Sequence, residues 1–126
     1  MKNLLFVLLA LPLLAMTQGS LQQITSAIGK GNAEALAPFF DASVEISILE
    51  DVDIYDKQEA VSVVKGFFAT HAPKGYSQVH EGTSKGKDSR YVIGKLNTSD
   101  GAYRVYLYLR SEGDKEIIQE LRFDTE

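Results

Sequence analysis

The chain has 126 residues, a formal net charge of -4 and 44% hydrophobic residues, which is typical of one globular domain. It contains no cysteine, so disulfide bonds and thiol chemistry are excluded. The acidic balance argues against a nucleic-acid-binding protein, because contact with phosphates requires a concentrated basic surface. We therefore expect a single domain that is stabilised by packing alone.

The first 19 residues have the three parts of a secretory signal peptide. A positive start at Lys2 precedes the apolar run Leu4–Leu14, and small and polar residues follow. This run is too short for a membrane-spanning helix, which needs about 20 apolar residues. The alternative is a buried N-terminal helix. We predict cleavage between Ala15 and Ser20, and export to the periplasm or the medium as a mature form without a membrane span.

Two short helices are predicted at the start of the mature chain. Apolar residues of the first recur at helical spacing between Ser20, its candidate N-terminal cap, and Gly31, where it ends. Asn32 is the candidate cap of the second helix, Ala33–Phe40. Pro38 lies inside this helix and removes a backbone hydrogen bond, so we expect a kink or a tight last turn there.

Two strands and the strongest predicted helix follow. Val44–Ile48 alternates apolar and polar residues, which is typical of a half-buried strand, and Val52 and Ile54 continue the alternation after a turn. Asp56 and Glu59 have the spacing of a helix-capping pair. The apolar residues that recur at helical spacing after them are Ala60, Val63, Val64, Phe67 and Phe68.

The second half of the chain, residues 76–123, has a hydrophobic period of two, which predicts four successive antiparallel strands. The residues predicted to share the buried face are Val92, Leu96, Tyr103, Val105, Leu107, Leu109, Ile117, Leu121 and Phe123. Because the helices must cover this face, we predict that residues 20–126 form one α+β domain.

Several segments resemble a known family. Residues 31–46 resemble the opening of nuclear-transport-factor-2-like, cystatin-related domains, in which two helices lead into a first strand. Gly66–Phe68, Val79–Gly82, Tyr91–Leu96 and Tyr103–Tyr106 resemble a family of small exported bacterial proteins with that fold and no assigned function. This resemblance implies a cone-shaped domain, in which a curved and mostly antiparallel sheet packs on about three helices.

Tyrosine and arginine residues gather on the face of the sheet that the helices leave open. Its predicted members are Tyr91, Ile93, Lys95, Arg104, Tyr106, Tyr108, Arg110, Ile118, Glu120 and Arg122. Tyrosine and arginine are enriched where proteins meet other proteins. The resemblance implies dimerisation through this face, so we predict a non-catalytic binding or interaction module that forms a homodimer. A small ligand or peptide on the tyrosines, and a monomer whose long side chains cover the sheet, are the alternatives.

The resemblance also implies a catalytic alternative. Related ketosteroid isomerases and scytalone dehydratases place a carboxylate, a Tyr or a His inside the mouth of the sheet, where shifted pKa values support proton transfer. Candidates here for an isomerase, dehydratase or hydrolase are Asp53, Tyr55 and His80, with His71, Glu81 and Tyr103 as further candidates. The first helix lacks the tyrosine of the isomerases, and His80 and Glu81 point to opposite faces of a strand, so neither arrangement is complete.

We expect no metal ion or other cofactor. His71 and His80 are nine positions apart and the chain has no cysteine, so zinc ligands at usable spacing are missing. The acidic run Glu50–Asp56 lacks the glycine and the glutamate of a calcium-binding loop, because Asp56 and Ser62 stand at those positions. We interpret it as a solvated strand edge followed by a helix cap.

Overall fold

The computed structural model describes residues 19–84 and 88–126. Residues 1–18 of the predicted signal peptide lie outside the described residues. The described part contains three helices, namely α1 (Ser20–Lys30), a 3-10 helix (Ala33–Phe39) and α2 (Lys57–Thr70). Its six strands are β1 (Phe40–Ile48), β2 (Asp51–Asp56), β3 (Pro73–Thr83), β4 (Ser89–Thr98), β5 (Gly101–Glu112) and β6 (Lys115–Thr125).

All six strands form one curved sheet in the order β2-β1-β6-β5-β4-β3. β1 and β6 are parallel, and every other neighbouring pair is antiparallel. The helices pack on one face of this sheet and leave the other face uncovered within the described residues. The predicted α+β class, with a mostly antiparallel sheet on three helices, is confirmed.

The core lies between the helices and the covered face of the sheet. Its largest fully buried side chains include Phe40, Phe123, Ile24, Ile28, Leu36, Ile46, Leu96, Leu107, Leu109, Ile118 and Leu121. The Phe67 ring of α2 stacks on the Phe123 ring of β6, with centroids 4.2 Å apart and planes 20° apart. Complete burial of one such side chain contributes about 1.5–3 kcal/mol to the free energy of unfolding. Packing of this kind holds α2 against the centre of the sheet.

Local capping fixes three of the helix ends. The Glu59 N–H donates to Asp56 Oδ1 at 2.8 Å, as the capping pair predicts. The Ala35 N–H donates to Asn32 Oδ1 at 3.2 Å, so Asn32 is the cap predicted for the second helix. Gly31 ends α1 with a φ of 69°, a left-handed conformation that glycine adopts without steric cost.

Two details of the helices differ from the predictions. Ser20 is not the cap of α1: Gly19 occupies that position, and the Ser20 hydroxyl instead accepts a hydrogen bond from the Glu116 N–H at 3.1 Å. A tertiary contact to β6 therefore takes the place of the local one. The second helix is a 3-10 helix that ends at Phe39, since Pro38 cannot donate a hydrogen bond inside a longer α-helix.

A β-bulge in β6 reverses two assignments on the sheet. Tyr108 pairs with Glu120, whereas the next residue, Leu109, pairs with Ile118, so Gln119 is an extra residue between them. Ile118 is consequently fully buried in the core, and its predicted place on the open face is wrong. Ile117, predicted for the core face, pairs with Arg110 on the open side, where it is still buried, with 6% exposed, but lies outside the main core cluster. A single inserted residue shifts the alternation for everything before it.

The chain ranges 19–84 and 88–126 include no helix that is long and apolar enough to span a membrane.

Candidate functional site

The open face of the sheet brings most of the predicted contact residues together. Tyr91 lies opposite Tyr108. Ile93 lies opposite Tyr106, and Lys95 lies opposite Arg104. On the other side of β5, Arg122 pairs with Tyr106, Glu120 with Tyr108 and Asp124 with Arg104. Because directly paired residues share a face, these side chains form one continuous surface, which we call the open face.

Planar side chains stack at the centre of the open face. The rings of Tyr91 and Tyr106 lie 6.4 Å apart with planes 15° apart. The Arg122 guanidinium lies 5.1 Å from the centroid of the Tyr106 ring, and its Nε donates to Glu120 Oε2 at 2.5 Å. This hydrogen bond raises the pKa of Arg122, and partial burial raises the pKa of the Tyr106 phenol. The centre of the face is therefore preorganised by its own contacts.

An exposed apolar edge extends the open face onto β2. Val52 pairs with Ser47 and Ile54 with Glu45, and β1 in turn pairs with β6. Val52 is 59% exposed and Ile54 is 64% exposed, so their expected burial in a half-buried strand is wrong. Nothing in the described residues covers this side of β2. The alternation of apolar and polar residues correctly predicted the strand β2, but it does not indicate which face of that strand the helices cover.

The catalytic candidates lie apart. Asp53 is exposed on the edge strand β2, and Tyr55 is half-buried against the core. His80 is exposed on β3, at the opposite edge of the sheet, with its Nε2 3.2 Å from the Tyr91 hydroxyl. His80 pairs with Ile93 of the open face, whereas Glu81 pairs with the buried Val92, as expected for neighbours in a strand. The structure does not bring these candidates into one site.

His71 and Tyr103 belong to a different cluster, at the end of α2. His71 Nδ1 lies 2.8 Å from Asp100 Oδ2 and 3.0 Å from the Tyr103 hydroxyl. The hydrogen bond from Thr98, together with that from His71, lowers the pKa of Asp100. Burial, followed by the Asp100 charge, raises the pKa of the Tyr103 phenol. The hydrogen bonds of this cluster connect the end of α2 to the turn between β4 and β5. Two of its members, Asp100 and Thr98, were not identified as site residues from the sequence.

A second feature missed by the sequence analysis is a cavity of about 550 Å³ beside the first turn of α1. Arg90 lies in its wall and is bidentate to Glu116, with Nε to Oε2 and Nη2 to Oε1 both 2.6 Å. Arg90 Nη1 donates to Glu81 at 2.9 Å, and Gln78 Nε2 donates to the same carboxylate at 2.7 Å. The Glu116 hydrogen bond is the main cause that raises the pKa of Arg90. We call this region the cone-mouth cavity.

The signal that would have revealed the cone-mouth cavity is polarity at core-face positions. Arg90 pairs with the buried Leu109, and Glu81 pairs with the buried Val92, so both lie on the face that the helices cover. An apolar residue is expected there by the strand period. Among residues 19–84 and 88–126, no group of three His, Cys, Asp or Glu side chains is arranged to hold a metal ion.

Solved structures with the same fold include a DUF4783 family protein from Bacteroides fragilis YCH46. It is 28% identical, with a TM-score of 0.76, over 82% of this chain and 96% of that chain. An NTF2-like protein from Cytophaga hutchinsonii ATCC 33406 is 9% identical, with a TM-score of 0.62, over 85% of this chain and 93% of that chain. A protein of unknown function with a cystatin-like fold from Nostoc punctiforme PCC 73102 is 10% identical, with a TM-score of 0.64, over 84% of this chain and 85% of that chain.

No curated protein matches the chain. The family model described as a domain of unknown function, DUF4783, matches residues 21–124. This match covers almost all of the described residues, and the similar structures agree with it in fold. The chain therefore belongs to the DUF4783 family, whose function is unknown, and it has the NTF2-like, cystatin-like fold that its sequence predicted.

Proposed function

We propose that this protein is an exported, non-catalytic binding module that forms a homodimer through the open face of its sheet. The observation that carries the proposal is the continuity of that face. At one register it runs from the exposed Val52 on β2 through Arg122 and Tyr106 to Ile93 on β4. Apolar, aromatic and arginine side chains of this kind are typical of protein interfaces.

A second copy of the chain suits this face because its two halves are complementary. We place a two-fold axis parallel to the strands, in front of the open face and midway between β5 and β6. These are the two central strands of the six-stranded sheet. The β5 half of one copy then faces the β6 half of the other. Tyr106 meets Arg122 of the second copy, and Arg104 meets Asp124 of the second copy. The arrangement opposes a cation to a π face and a positive charge to a negative one.

Sedimentation velocity tests the dimer. We expect a dimer at micromolar concentration, and a monomer after combined Tyr106→Ser and Tyr108→Ser replacement, because the central aromatic surface is lost. Gln58→Ser, on the exposed surface of α2, is the control that should remain dimeric. A wild-type protein that sediments as a monomer at tens of micromolar contradicts the proposal.

Export is tested separately, by the mass of the protein recovered from the periplasm or the medium. Signal-peptide cleavage is expected to give a chain that starts between residues 16 and 20. Recovery of an intact chain from the cytoplasm contradicts export but leaves the dimer unaffected.

The catalytic alternative receives no support from the placement of its candidates. Asp53 and His80 lie on strands at opposite edges of the sheet, and neither side chain is buried. We therefore retain the binding module as the proposed function.

A further inference from the structure

We propose that the cone-mouth cavity binds a neutral, hydroxyl-rich small molecule, a mono- or disaccharide. This inference is independent of the open face, since the cavity lies beside the first turn of α1, on the covered side of the sheet. Its volume of about 550 Å³ lies within the range of small-molecule sites, which is about 300–1,000 Å³.

Arg90 and Glu116 are half-buried charged residues of the cavity wall on the face of the sheet that the helices cover. Ser111 of β5 pairs with Glu116 of β6. Each lies two positions from a buried residue of its own strand, Leu109 or Ile118, so both are on the covered face. Arg90, also in the wall, occupies a core-face position on β4, and it donates to Glu81, which lies behind the wall at a core-face position on β3. Departures from the expected pattern that converge on one cavity are characteristic of functional sites rather than of packing.

The charges of the wall favour a neutral ligand. Its charged members are Arg90, Lys115, Asp114 and Glu116, two of each sign. An anion placed here meets the two carboxylates, and a cation meets Arg90 and Lys115. Because Arg90 is already bidentate to Glu116, the two opposite charges lie side by side, not separated as a zwitterion requires. A ligand without formal charge avoids all of these conflicts.

Hydrogen-bonding capacity within the wall matches hydroxyl groups. The guanidinium has five N–H groups, and the hydrogen bonds to Glu116 and Glu81 use three of them, which leaves two within the described part of the chain. Carboxylate lone pairs and the Gln78 carbonyl supply acceptors beside these donors. A hydroxyl both donates and accepts, so adjacent hydroxyls of a sugar can bond to adjacent donors and acceptors. The half-buried Leu21 provides an apolar surface for the C–H face of the ring.

NMR titration of the purified, 15N-labelled protein tests the proposal. The probes are glucose, galactose and maltose, compared with glucuronate, glucosamine and alanine as anionic, cationic and zwitterionic ligands. We expect at least one neutral sugar, at millimolar concentration, to shift the Arg90 Nε–H, the Gln78 side-chain amide and the Ser111 backbone N–H in a saturable manner. The charged probes should bind more weakly.

Two variants place the binding in the cavity. Gln78→Leu keeps the size of an exposed side chain but removes its donor and acceptor, and is expected to weaken the sugar about tenfold. Gln22→Leu, on the α1 side of the cavity, should weaken it independently, whereas Gln58→Leu on α2 should leave it unchanged. The proposal is overturned if no neutral sugar shifts these signals, if only a charged probe does so, or if the shifts map to the open face.

Discussion

The Tyr76 ring fills space in the core, but its hydroxyl makes no hydrogen bond there with the described residues. Its ring crosses the covered face at Gly94, where a Cβ atom would come within 2.2 Å of the ring and the hydroxyl. The hydroxyl is buried and has no hydrogen-bond partner among the described residues. This burial raises the pKa of Tyr76 to about 12. The fold therefore tolerates an unsatisfied polar group in order to fill the interior of the cone.

Replacement of Tyr76 by Phe should stabilise the protein by about 1 kcal/mol, because it removes the buried hydroxyl and keeps the ring. The pKa of Tyr76 is higher in the folded state than in the unfolded state, so the folded protein is favoured as long as the phenol is neutral in both states. This part of the free energy of unfolding is fully present below about pH 10 and is lost as the pH rises through about 12. The advantage of the Phe variant should therefore grow across this interval. Urea unfolding at pH 7 and in alkaline buffers measures both effects. Tyr55→Phe is the control, and a Tyr76→Phe variant less stable than the wild type contradicts the expectation.

Asp100 shows the opposite sign of pH dependence. The hydrogen bonds from Thr98 and His71 lower the pKa of Asp100, so its ionised form stabilises the fold above the ordinary value of 3.8. Asp100→Asn should therefore lower the midpoint of thermal unfolding at neutral pH. The difference from the wild type should narrow as the pH falls through the lowered pKa. Asp51→Asn, on the exposed edge strand, is the control. A difference that is constant over the whole pH range contradicts a role for the charge.

At the scale of the element, the Asn32 and Asp56 caps were predictable because their hydrogen bonds are local, whereas the predicted Ser20 cap was wrong because its hydroxyl bonds to β6 instead. Asp56 and Glu59 are three residues apart, and the backbone hydrogen bond that joins them depends on little else. Asp56→Ala should cost about 1 kcal/mol of unfolding free energy, because the first turn of α2 loses the acceptor for the Glu59 N–H. Chemical denaturation measures this loss. Asp51→Ala removes a carboxylate without a capping role, and an equal loss in that variant would contradict the assignment.

Two properties of the strands, the bulge in β6 and the exposed face of β2, could not be predicted from the sequence. The period of two located β4, β5 and β6, but the bulge at Gln119 depends on the pairing of β6 with β5, and no pattern within β6 itself reveals it. The exposure of Val52 and Ile54 likewise depends on which face α2 covers. The cone-mouth cavity escaped notice for a related reason: Arg90 and Glu116 lie 26 positions apart and meet only in the folded sheet. Local signals predicted elements, whereas the sites required tertiary structure.

At the scale of the whole molecule, the two faces of the sheet have opposite chemistry. The helices and an apolar core cover one face, and the other presents Arg104, Arg122 and Lys95 in a protein whose net charge is -4. Asp124 lies beside Arg104 on the neighbouring strand of this open face. A homodimer with its axis between β5 and β6 would use both charges twice, once in each symmetric contact.

Charge reversal tests this arrangement of the dimer. Arg104→Glu places two acidic residues together, and Asp124→Arg places two basic residues together, so each variant alone should dimerise about tenfold more weakly at low ionic strength. A mixture of the two variants should recover the dimer. The new carboxylate at position 104 of the first variant then meets the new guanidinium at position 124 of the second, while the unchanged Asp124 of the first meets the unchanged Arg104 of the second. Sedimentation of each variant and of the mixture, at low and high salt, measures the recovery.

The mixture separates contacts between copies from contacts within a copy. Within each variant chain the two like charges remain neighbours on β5 and β6, so mixing cannot relieve repulsion inside one chain. Recovery in the mixture therefore requires that residue 104 of one copy face residue 124 of the other. Lys57→Glu, on α2 and away from the open face, is the control for net charge and should dimerise like the wild type. If the wild-type protein dimerises but the mixture does not recover the dimer, the two-fold axis between β5 and β6 is wrong. The replacement of Tyr106 and Tyr108 still tests the open face separately. A different axis would then bring other pairs of charges on the same face into contact.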